Sequence, residues 1–267
     1  MRLRVGAASD IGRVRPLNED VHRLRADDGL FLVCDGMGGA SAGEIASRVA
    51  ADAILHHLDR RAVIPGDRGD AHTGYLPQTQ QLAEAVRRSN QVIYAEARDN
   101  PAHAGMGTTV VAAWVREHVA SVAHVGDSRA YLWHDPQLVA LTRDHSLEEA
   151  QRRAGIVDDR HDAQHVLLQV LGGAPDVDVD VTEMPLQAGD YLLLCSDGLT
   201  RMVPEASLGQ AIRQWRDPQR ICDCLVETAN RNGGADNITV VVVEVARAWW
   251  RRLTAPWPPF LGGARQS

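Results

Sequence analysis

The stretch LFLVCDGMGGASAGEIAS, residues 30–47, decides the fold of this chain. An apolar run of strand length ends at Asp35, Gly36 follows, and a helix-like pattern begins near Glu44. A buried strand that ends in an aspartate carries the carboxylate to the edge of a sheet, and glycine permits a close backbone approach there. Taken alone, Asp-Gly after a strand is more often a turn than a site. The question is whether the chain brings other carboxylates to the same place.

Apolar, β-branched runs of strand length recur along the chain and predict a β-rich core. Only a few residues separate 107–115 from 119–125, which permits a hairpin and excludes a helical crossover between parallel strands there. The sheet is therefore expected to be at least partly antiparallel. The runs are 30–34, 107–115, 119–125, 130–133, 190–195 and 238–245.

Helical periodicity lies between these runs, with apolar positions on one face of each segment. Few strands alternate strictly with helices, so an α+β fold with helices packed over an antiparallel sheet is expected. Pro218 suits the first turn of the last helix. The predicted helices are 44–58, 80–98, 204–215 and 218–231.

Two segments fit neither pattern. Residues 63–77 are rich in Gly, Pro and Asp and predict a surface insertion. Residues 246–267 contain three tryptophans with prolines and arginines, and are expected to form a flexible tail rather than a docking segment or interfacial anchor. With 45% hydrophobic residues, the whole chain can bury one sizeable core, and residues 1–245 are expected to form one domain.

Charge and cysteine usage exclude several classes. The net charge of −7 and the lack of a basic block disfavour a nucleic-acid partner. Cys34 and Cys195 lie in apolar runs, and Cys222 and Cys224 have no second ligand pair nearby, so free thiols in a cytoplasmic protein are favoured over disulfides or zinc. No stretch approaches 18 consecutive apolar residues, so stable membrane insertion is not expected.

The Asp-Gly pattern returns after the run 190–195, where Asp197 precedes Gly198. Asp127 lies between two strand-like runs, and Asp236 stands just before the last run, where an antiparallel sheet would carry it to the same rim. Each motif alone is more often a turn or an acidic surface. The segment RPLNED adds Arg15, Glu19 and Asp20.

Carboxylates that share one rim need cations. Each like-charge pair at 4 Å costs about 4 kcal/mol at an effective dielectric constant of about 20. Oxygen ligands without histidine or cysteine favour Mg²⁺ or Mn²⁺ over zinc. Two such ions about 3.5–4 Å apart clamp an in-line displacement, which phosphate-ester hydrolysis needs most. Arg15 is suited to hold a phosphate by a bidentate fork.

The chain resembles the PPM-type, metal-dependent (Mg²⁺/Mn²⁺) serine/threonine protein phosphatases, in particular their bacterial branch, over most of residues 5–245. The resemblance implies a four-layer α-β-β-α sandwich of two antiparallel sheets flanked by helices, with a binuclear metal site at one end. It also implies that 1–245 is the catalytic domain. The segments that carry it are, in order, RPLNED, VCDGMGGASAGEIAS, GTTVVAAWV, AHVGDSRAYLW, LTRDHS, LLLCSDGL and ADNITVVVVEV.

The resemblance assigns a ligand set by position. Asp35 would bridge two ions, Glu19 and the carbonyl of Gly36 would complete the first ion, and Asp197 and Asp236 would hold the second. By the same resemblance, a metal-bridging hydroxide attacks phosphorus in line, and the serine or threonine alkoxide leaves.

Three further roles follow from the resemblance. Asp20 would support the metal ligands from behind. Asp127 together with Asp197 would hold a third, weaker metal ion. Arg15 would bind the substrate phosphate, so that Arg15, Asp35 and Asp197 are the expected catalytic residues.

Two positions depart from the family pattern. Met37 stands where some members carry a histidine that protonates the leaving group, so that role passes to a metal-bound water or another group. Asp162 replaces a proline in a flap that helps to set substrate preference.

The resemblance implies a monomeric, cytoplasmic phosphatase that acts on phosphoserine and phosphothreonine in proteins and opposes a cognate serine/threonine kinase. A catalytically silent phosphoprotein-binding module is a second hypothesis, against which the intact ligand set argues. A different two-metal phosphoesterase is the third, with phosphotyrosine or small phosphates open as substrates and nucleic acid disfavoured.

Overall fold

The computed structural model describes residues 1–38, 42–59, 74–156 and 166–246. The strands in these ranges are β1 (Leu3–Asp10), β2 (Asp20–Arg25), β3 (Leu30–Met37), β4 (Gly107–Thr108), β5 (Val110–Arg116), β6 (Val119–Val125), β7 (Arg129–His134), β8 (Gln137–Ala140), β9 (Asp180–Pro185), β10 (Tyr191–Cys195) and β11 (Ile238–Val245). The helices are α1 (Ala42–Asp59), α2 (Pro77–Asp99), α3 (Leu147–Arg153), α4 (Asp197–Thr200), α5 (Glu205–Trp215) and α6 (Pro218–Arg231), with a 3₁₀ turn at Pro101–His103.

The strands form two sheets in which every pair is antiparallel. The first sheet has the order β1-β11-β10-β7-β8, and the second has the order β2-β3-β5-β6-β9, with β4 paired to β3. The predicted hairpin between 107–115 and 119–125 is confirmed as β5 and β6. The next connection, from β6 to β7, passes from the second sheet to the first.

Strand β3 shows why the runs are continuously apolar. Phe31 and Val33 pack in the core between the sheets, together with Leu192 of β10. Leu32 and Cys34 point to the opposite face, into the core that α1 and α2 share with the second sheet. Because successive side chains alternate between the faces, a strand buried on both faces needs apolar residues throughout.

Helices cover the outer face of each sheet. Helices α1 and α2 pack on the second sheet, and α5 and α6 pack on the first through residues such as Leu208 and Leu225. Asp217 caps α6 by accepting a hydrogen bond from the backbone amide of Arg220 at 3.1 Å, and Pro218 occupies the first turn, as predicted. The expected four-layer α-β-β-α sandwich is confirmed.

The structure also corrects parts of the sequence interpretation. The run 107–115 is two strands, because Thr109 interrupts the ladder between β4 and β5. Pro77 begins α2, so the predicted insertion at 63–77 ends too late. Residues 63–73 of that insertion, Asp162 of the flap, and 247–267 of the tail lie outside the described residues.

The structure also bears on the state of the cysteines and on the expected lack of membrane insertion. All four cysteines are free, and Cys34, Cys195 and Cys222 are buried. Burial raises the pKa of the Cys222 thiol, which keeps it protonated. Within the described ranges, no helix combines the length and the apolar character that a bilayer crossing requires.

Candidate active site

The predicted site residues meet where the two sheets end side by side. In the second sheet, Asp20 of β2 pairs in register with Asp35 of β3. In the first sheet, Asp197 follows β10 and Asp236 precedes its neighbour β11. The hydroxyl of Ser196 donates a hydrogen bond to Oδ2 of Asp20 at 2.7 Å and so joins the two sheets at this point.

Connections between the sheets bring the remaining residues. The segment between β1 and β2 carries Arg15 and Glu19, and the turn between β6 and β7 carries Asp127. The carboxyl group of Asp197 lies within hydrogen-bonding reach of those of Asp35 and Asp127. Seven of the eight predicted positions therefore line one cleft with a volume of about 1060 Å³, and the eighth, Asp20, lies next to it as the strand partner of Asp35.

Two threonines fix the backbone of Asp35. Its carbonyl oxygen accepts hydrogen bonds from the hydroxyl of Thr108 at 2.8 Å and from the amide of Thr109 at 2.9 Å. Its amide donates to the hydroxyl of Thr109 at 3.1 Å, and that hydroxyl also pairs with Ser128 at 2.7 Å. The break between β4 and β5 thus holds the end of β3 in place.

Asn237 fixes the segment that carries Glu19. Its side-chain amide donates to the carbonyl oxygens of Ile11 at 2.9 Å and Leu17 at 2.8 Å, and its Oδ1 accepts from the amide of Glu19 at 2.8 Å. These bonds use both ends of the Asn237 side chain. Asp236 therefore contributes a carboxylate to the site, and Asn237 holds the segment that carries Glu19 in place. The sequence analysis assigned a role only to Asp236.

Glu19 also contacts the start of α1. Its carboxylate accepts hydrogen bonds from the backbone amides of Gly43 and Glu44. A Cβ atom on Gly43 would lie 2.6 Å from Oε1 of Glu19 and 2.9 Å from the backbone carbonyl carbon of Gly36, so a larger residue would push the Glu19 carboxylate or the backbone away. The glycines after the first Asp-Gly pair thus let α1 approach the carboxylate cluster.

The glycines of the two Asp-Gly pairs are sites of close backbone approach. A Cβ atom on Gly36 would lie 2.1 Å from the carbonyl oxygen of Gly43, and one on Gly198 would lie 2.0 Å from that of Asn237. Both distances are far below van der Waals contact. Each glycine therefore lets a neighbouring segment pack directly against the corner that carries the aspartate.

The clustered carboxylates have strongly perturbed pKa values. Burial raises the pKa of Asp20 and that of Asp127 to about 7. Burial, followed by the charges of Asp20 and Asp197, raises the pKa of Asp35 well above its usual value. Burial also raises the pKa of Asp197, although the charge of Arg201 opposes this rise. The carboxyl groups of the cluster therefore cannot all be ionised at once unless bound cations offset their charge.

Two buried carboxylate oxygens of the cluster lack a hydrogen-bond partner among the described residues, namely Oδ1 of Asp20 and Oδ1 of Asp197. Buried polar atoms in proteins are normally satisfied, and each exception calls for an explanation. An all-oxygen set of this kind suits Mg²⁺ or Mn²⁺. The residues present therefore fit the divalent cations that the sequence predicts.

Two arginines point into the cluster. Nη2 of Arg15 pairs with Oδ2 of Asp236 at 2.8 Å, and its side chain is 49% exposed at the mouth of the cleft. Arg201, which the sequence interpretation did not single out, contacts Asp127, Asp197 and Asp236. The sequence signal for Arg201 is its position four residues after Asp197, because residues i and i+4 of a helical turn lie on the same face and can pair.

A second cluster lies beside the cleft. Among the described residues, His124, His145 and Asp180 offer ligand atoms within 4.8 Å of one another. Hydrogen bonds account for this arrangement, because Nδ1 of His145 accepts from the amide of Gly126 at 3.3 Å and its Nε2 faces Asp180 at 3.3 Å. Nε2 of His124 donates to the carbonyl oxygen of Arg143 at 2.7 Å. A metal ion would have to displace the Nε2 proton of His145, so the cluster positions the turn beside Asp127.

Met37 lines the cleft, and no histidine stands among its described lining residues. The chemistry of the site therefore rests on carboxylates and arginines. A cleft at the end of a double sheet, with clustered carboxylates and exposed cationic side chains, defines a hydrolase that uses divalent cations on phosphate esters.

Comparison with known proteins gives the family. The family model described as Protein phosphatase 2C matches residues 13–238, and the chain belongs to this family of metal-dependent serine/threonine phosphatases. The serine/threonine phosphatase stp of Listeria innocua is 36% identical over 243 residues, which cover 88% of this chain and 93% of that protein. The serine/threonine protein phosphatase PstP of Mycobacterium tuberculosis is 35% identical over 247 residues, or 91% of this chain and 45% of that protein.

Solved structures agree with this assignment. The crystal structure of the Mycobacterium tuberculosis phosphatase PstP has a TM-score of 0.81 at 33% identity, covering 92% of this chain and 100% of that chain. The PstP catalytic domain in complex with 2 manganese ions has a TM-score of 0.79 at 34% identity, covering 92% of this chain and 99% of that chain. The predicted family and fold are thereby confirmed.

Proposed function

We propose that this phosphatase removes phosphate from phosphoserine and phosphothreonine in proteins at a binuclear Mn²⁺ or Mg²⁺ centre held by the carboxylate cluster. The observation that carries the proposal is the unpartnered, buried Oδ1 of Asp197, which lies beside the carboxyl groups of Asp35 and Asp127. Such a group is stable in a folded protein when a cation binds it. The PstP catalytic domain, solved in complex with 2 manganese ions, adds support from a relative.

The ligand roles follow the positions at the rim. Asp35 is the proposed bridging ligand, because carboxylates from both sheets, Asp20 and Asp197 foremost, lie close enough for their charges to raise its pKa. Glu19 and the carbonyl oxygen of Gly36 would hold one ion, and Asp197 and Asp236 would hold the other. Asp20 would support this set through its contact with Ser196 rather than bind an ion itself.

The residues of the chain then bind and orient the substrate. Two bound divalent cations would supply a water of lowered pKa and offset the charge of the phosphate. Arg15 would bind the phosphate through its planar guanidinium, with Asp236 fixing the orientation of that group through the 2.8 Å pair. Met37 has no proton to donate, so water in the open cleft is the proposed proton source for the leaving alkoxide.

The biological setting is a proposal of the same kind. The named relatives are bacterial serine/threonine phosphatases, so phosphorylated proteins and a cognate serine/threonine kinase are the proposed partners. We propose that the protein acts as a cytoplasmic monomer, with 1–245 as its catalytic domain.

The test is phosphate release from a phosphothreonine peptide with Mn²⁺ and with EDTA. Wild type, Asp35→Asn and Asp197→Asn are compared with Asp99→Asn, which removes a carboxylate whose side chain is 65% exposed on α2. Release that requires Mn²⁺, persists in Asp99→Asn and is lost in the other two variants supports the proposal.

The alternatives give different results. A folded wild type that binds Mn²⁺ but releases no phosphate from any substrate would overturn the proposal in favour of a binding module. Release from a phosphotyrosine peptide or p-nitrophenyl phosphate, with none from phosphothreonine or phosphoserine peptides, would assign a different phosphoesterase.

A further inference from the structure

Arg201 is a fixed positive charge inside the carboxylate cluster. Its Nη2 contacts Oδ2 of Asp197 directly and lies 3.6 Å from Oδ2 of Asp127, while its Nη1 lies 3.8 Å from Oδ2 of Asp236. Its side chain is 31% exposed, so most of it is enclosed by the rim of the cleft. Arg201 therefore belongs to the site rather than to the outer surface.

The local fold places this side chain. Asp197 begins the single turn of α4, and the amide of Arg201 donates to the carbonyl oxygen of Asp197 at 2.9 Å. This i to i+4 bond stacks the two side chains on one face of the turn. The turn between β6 and β7 then brings Asp127 to the same guanidinium from the other side.

The position matters because Asp127 and Asp197 are the pair that the family resemblance assigns to a third, weaker metal ion. A guanidinium is always protonated and has no lone pair, so it can satisfy carboxylates but cannot coordinate a cation. A divalent cation placed at the same pair would be repelled by it at contact distance. The guanidinium and a third ion at Oδ2 of Asp127 and Oδ2 of Asp197 therefore exclude each other. Oδ1 of Asp197, which has no hydrogen-bond partner among the described residues, stays open to the second ion of the proposed centre.

Charge balance favours the arginine. The cluster has six carboxylates, which two divalent cations together with Arg15 and Arg201 would neutralise. A third divalent cation would leave this set of six carboxylates and two arginines with excess positive charge before substrate binds. The six carboxylates are Glu19, Asp20, Asp35, Asp127, Asp197 and Asp236.

We propose that Arg201 takes the place of a third metal ion at Asp127 and Asp197, so that this phosphatase binds two ions and no more. The inference rests on the proposed function only in assuming a binuclear centre. Arg201 is thus a positioning residue, which holds Asp127 and one oxygen of Asp197 without being a metal ligand.

The test counts bound Mn²⁺ by electron paramagnetic resonance of the free ion during titration of the full chain. Wild type is expected to bind two ions. Arg201→Gln is expected to bind a third, weaker one, and the double variant Arg201→Gln with Asp127→Asn is expected to return to two. Arg201→Lys retains the charge and is expected to stay at two.

The matched control is Arg213→Gln, which removes the same charge from the exposed side of α5, outside the residues that line the cleft. It is expected to bind two ions. Thermal unfolding of each variant establishes that the counts refer to folded protein.

Three results separate the possible failures. A third ion in the wild type that Asp127→Asn removes would overturn this inference and leave the proposed function intact. Two ions in folded Arg201→Gln would also overturn it. A wild type that binds no Mn²⁺, or fewer than two ions, would overturn the binuclear centre itself and with it the proposed function.

Discussion

The two Asp-Gly corners of the site share a dipeptide and differ in how their charge is offset. At the end of β3, the backbone of Asp35 is fixed by Thr108 and Thr109, and the described residues give its carboxylate no ion pair. At the end of β10, Asp197 begins the helical turn α4, and Arg201, the residue just after that turn, pairs with Asp197. The charge of Asp35 must be offset by bound cations, whereas part of the charge of Asp197 is offset by Arg201.

This difference follows from what comes after each glycine. After Gly36 the chain continues along β3 to Met37, so the described residues directly after this corner are extended and form no helical turn beside Asp35. After Gly198 the chain turns at once into α4, and the residue four positions on returns to Asp197. The same two residues therefore produce two electrostatic environments.

The largest expected effect is a difference in activity between substitutions at the two corners. Asp35→Asn removes the proposed ligand of both ions and is expected to lower phosphate release more than about 100-fold, beyond the 10–100-fold typical of groups that only support a ligand. Asp197→Asn removes a ligand of one ion and is expected to lose less. The check is kcat/KM on a phosphothreonine peptide at saturating Mn²⁺. A greater loss in Asp197→Asn would assign the bridging role to the wrong corner.

The second effect concerns the glycine that follows the aspartate at each corner. Gly36→Ala and Gly198→Ala each place a Cβ atom about 2 Å from a backbone carbonyl oxygen. Each substitution is expected to lower the free energy of unfolding by about 2 kcal/mol or more, measured by urea denaturation. Gly209→Ala is the matched control, since its nearest heavy atom would be at 3.8 Å and alanine favours the helix. Equal stability of all three variants would contradict the close approach.

The third effect is stabilisation by metal. Mn²⁺ at about 100 times its dissociation constant is expected to add about 2.7 kcal/mol to the stability of the wild type, or about 5–10 °C in Tm. Asp35→Asn should lose most of this gain, because no described residue forms an ion pair with Asp35 that could take the place of the bound cations. Differential scanning fluorimetry measures both, with Asp99→Asn as the control. An unchanged Tm at millimolar Mn²⁺ would count against the site.

The smallest effect is a pH dependence of the metal-free protein. Burial raises the pKa of Asp20 and Asp127 to about 7, well above the value near 3.9 of unfolded aspartate. The native state therefore binds more protons than the unfolded state between about pH 4 and 7, and its stability falls as pH rises through 7. Lowering the pH from 8 to 6.5 in EDTA should add about 1 kcal/mol.

The sign of this pH dependence should reverse when Mn²⁺ is present. Protons compete with the metal for the same carboxylates, so the Mn²⁺-dependent gain in Tm should shrink at pH 6.5. Thermal unfolding at both pH values, with and without Mn²⁺, measures the two slopes. A metal-free protein that is more stable at pH 8 than at pH 6.5 would contradict the raised pKa values.

The sequence predicts the centre of the fold better than its edges. The central strands and the four long helices stand within a few residues of their predicted bounds. The strands that sequence reasoning missed are β1, β8, β2 and β9, which are the four edge strands of the two sheets. Edge strands are partly exposed, as the half-buried pattern of β9 shows, so they lack a continuous apolar run.

Asp35, Asp127, Asp197 and Asp236 could be predicted because each stands next to an apolar run, whereas the segment RPLNED, with Glu19, stood out through the family resemblance. The residues that hold them in place give no such signal. Asn237, Thr109 and Ser196 act through hydrogen bonds to segments far away in sequence, which only the folded topology brings together. Arg201 has only its i+4 spacing from Asp197 as a signal, and its contact with Asp127 follows from the folded topology.

The most direct test of the central claim is anomalous diffraction at the manganese edge from crystals grown with Mn²⁺. Two peaks are expected, one between Asp35 and Glu19 and one between Asp35, Asp197 and Asp236. Arg201 is expected to remain beside Asp127. Peaks that leave Asp35 uncoordinated, or no manganese at this rim, would contradict it.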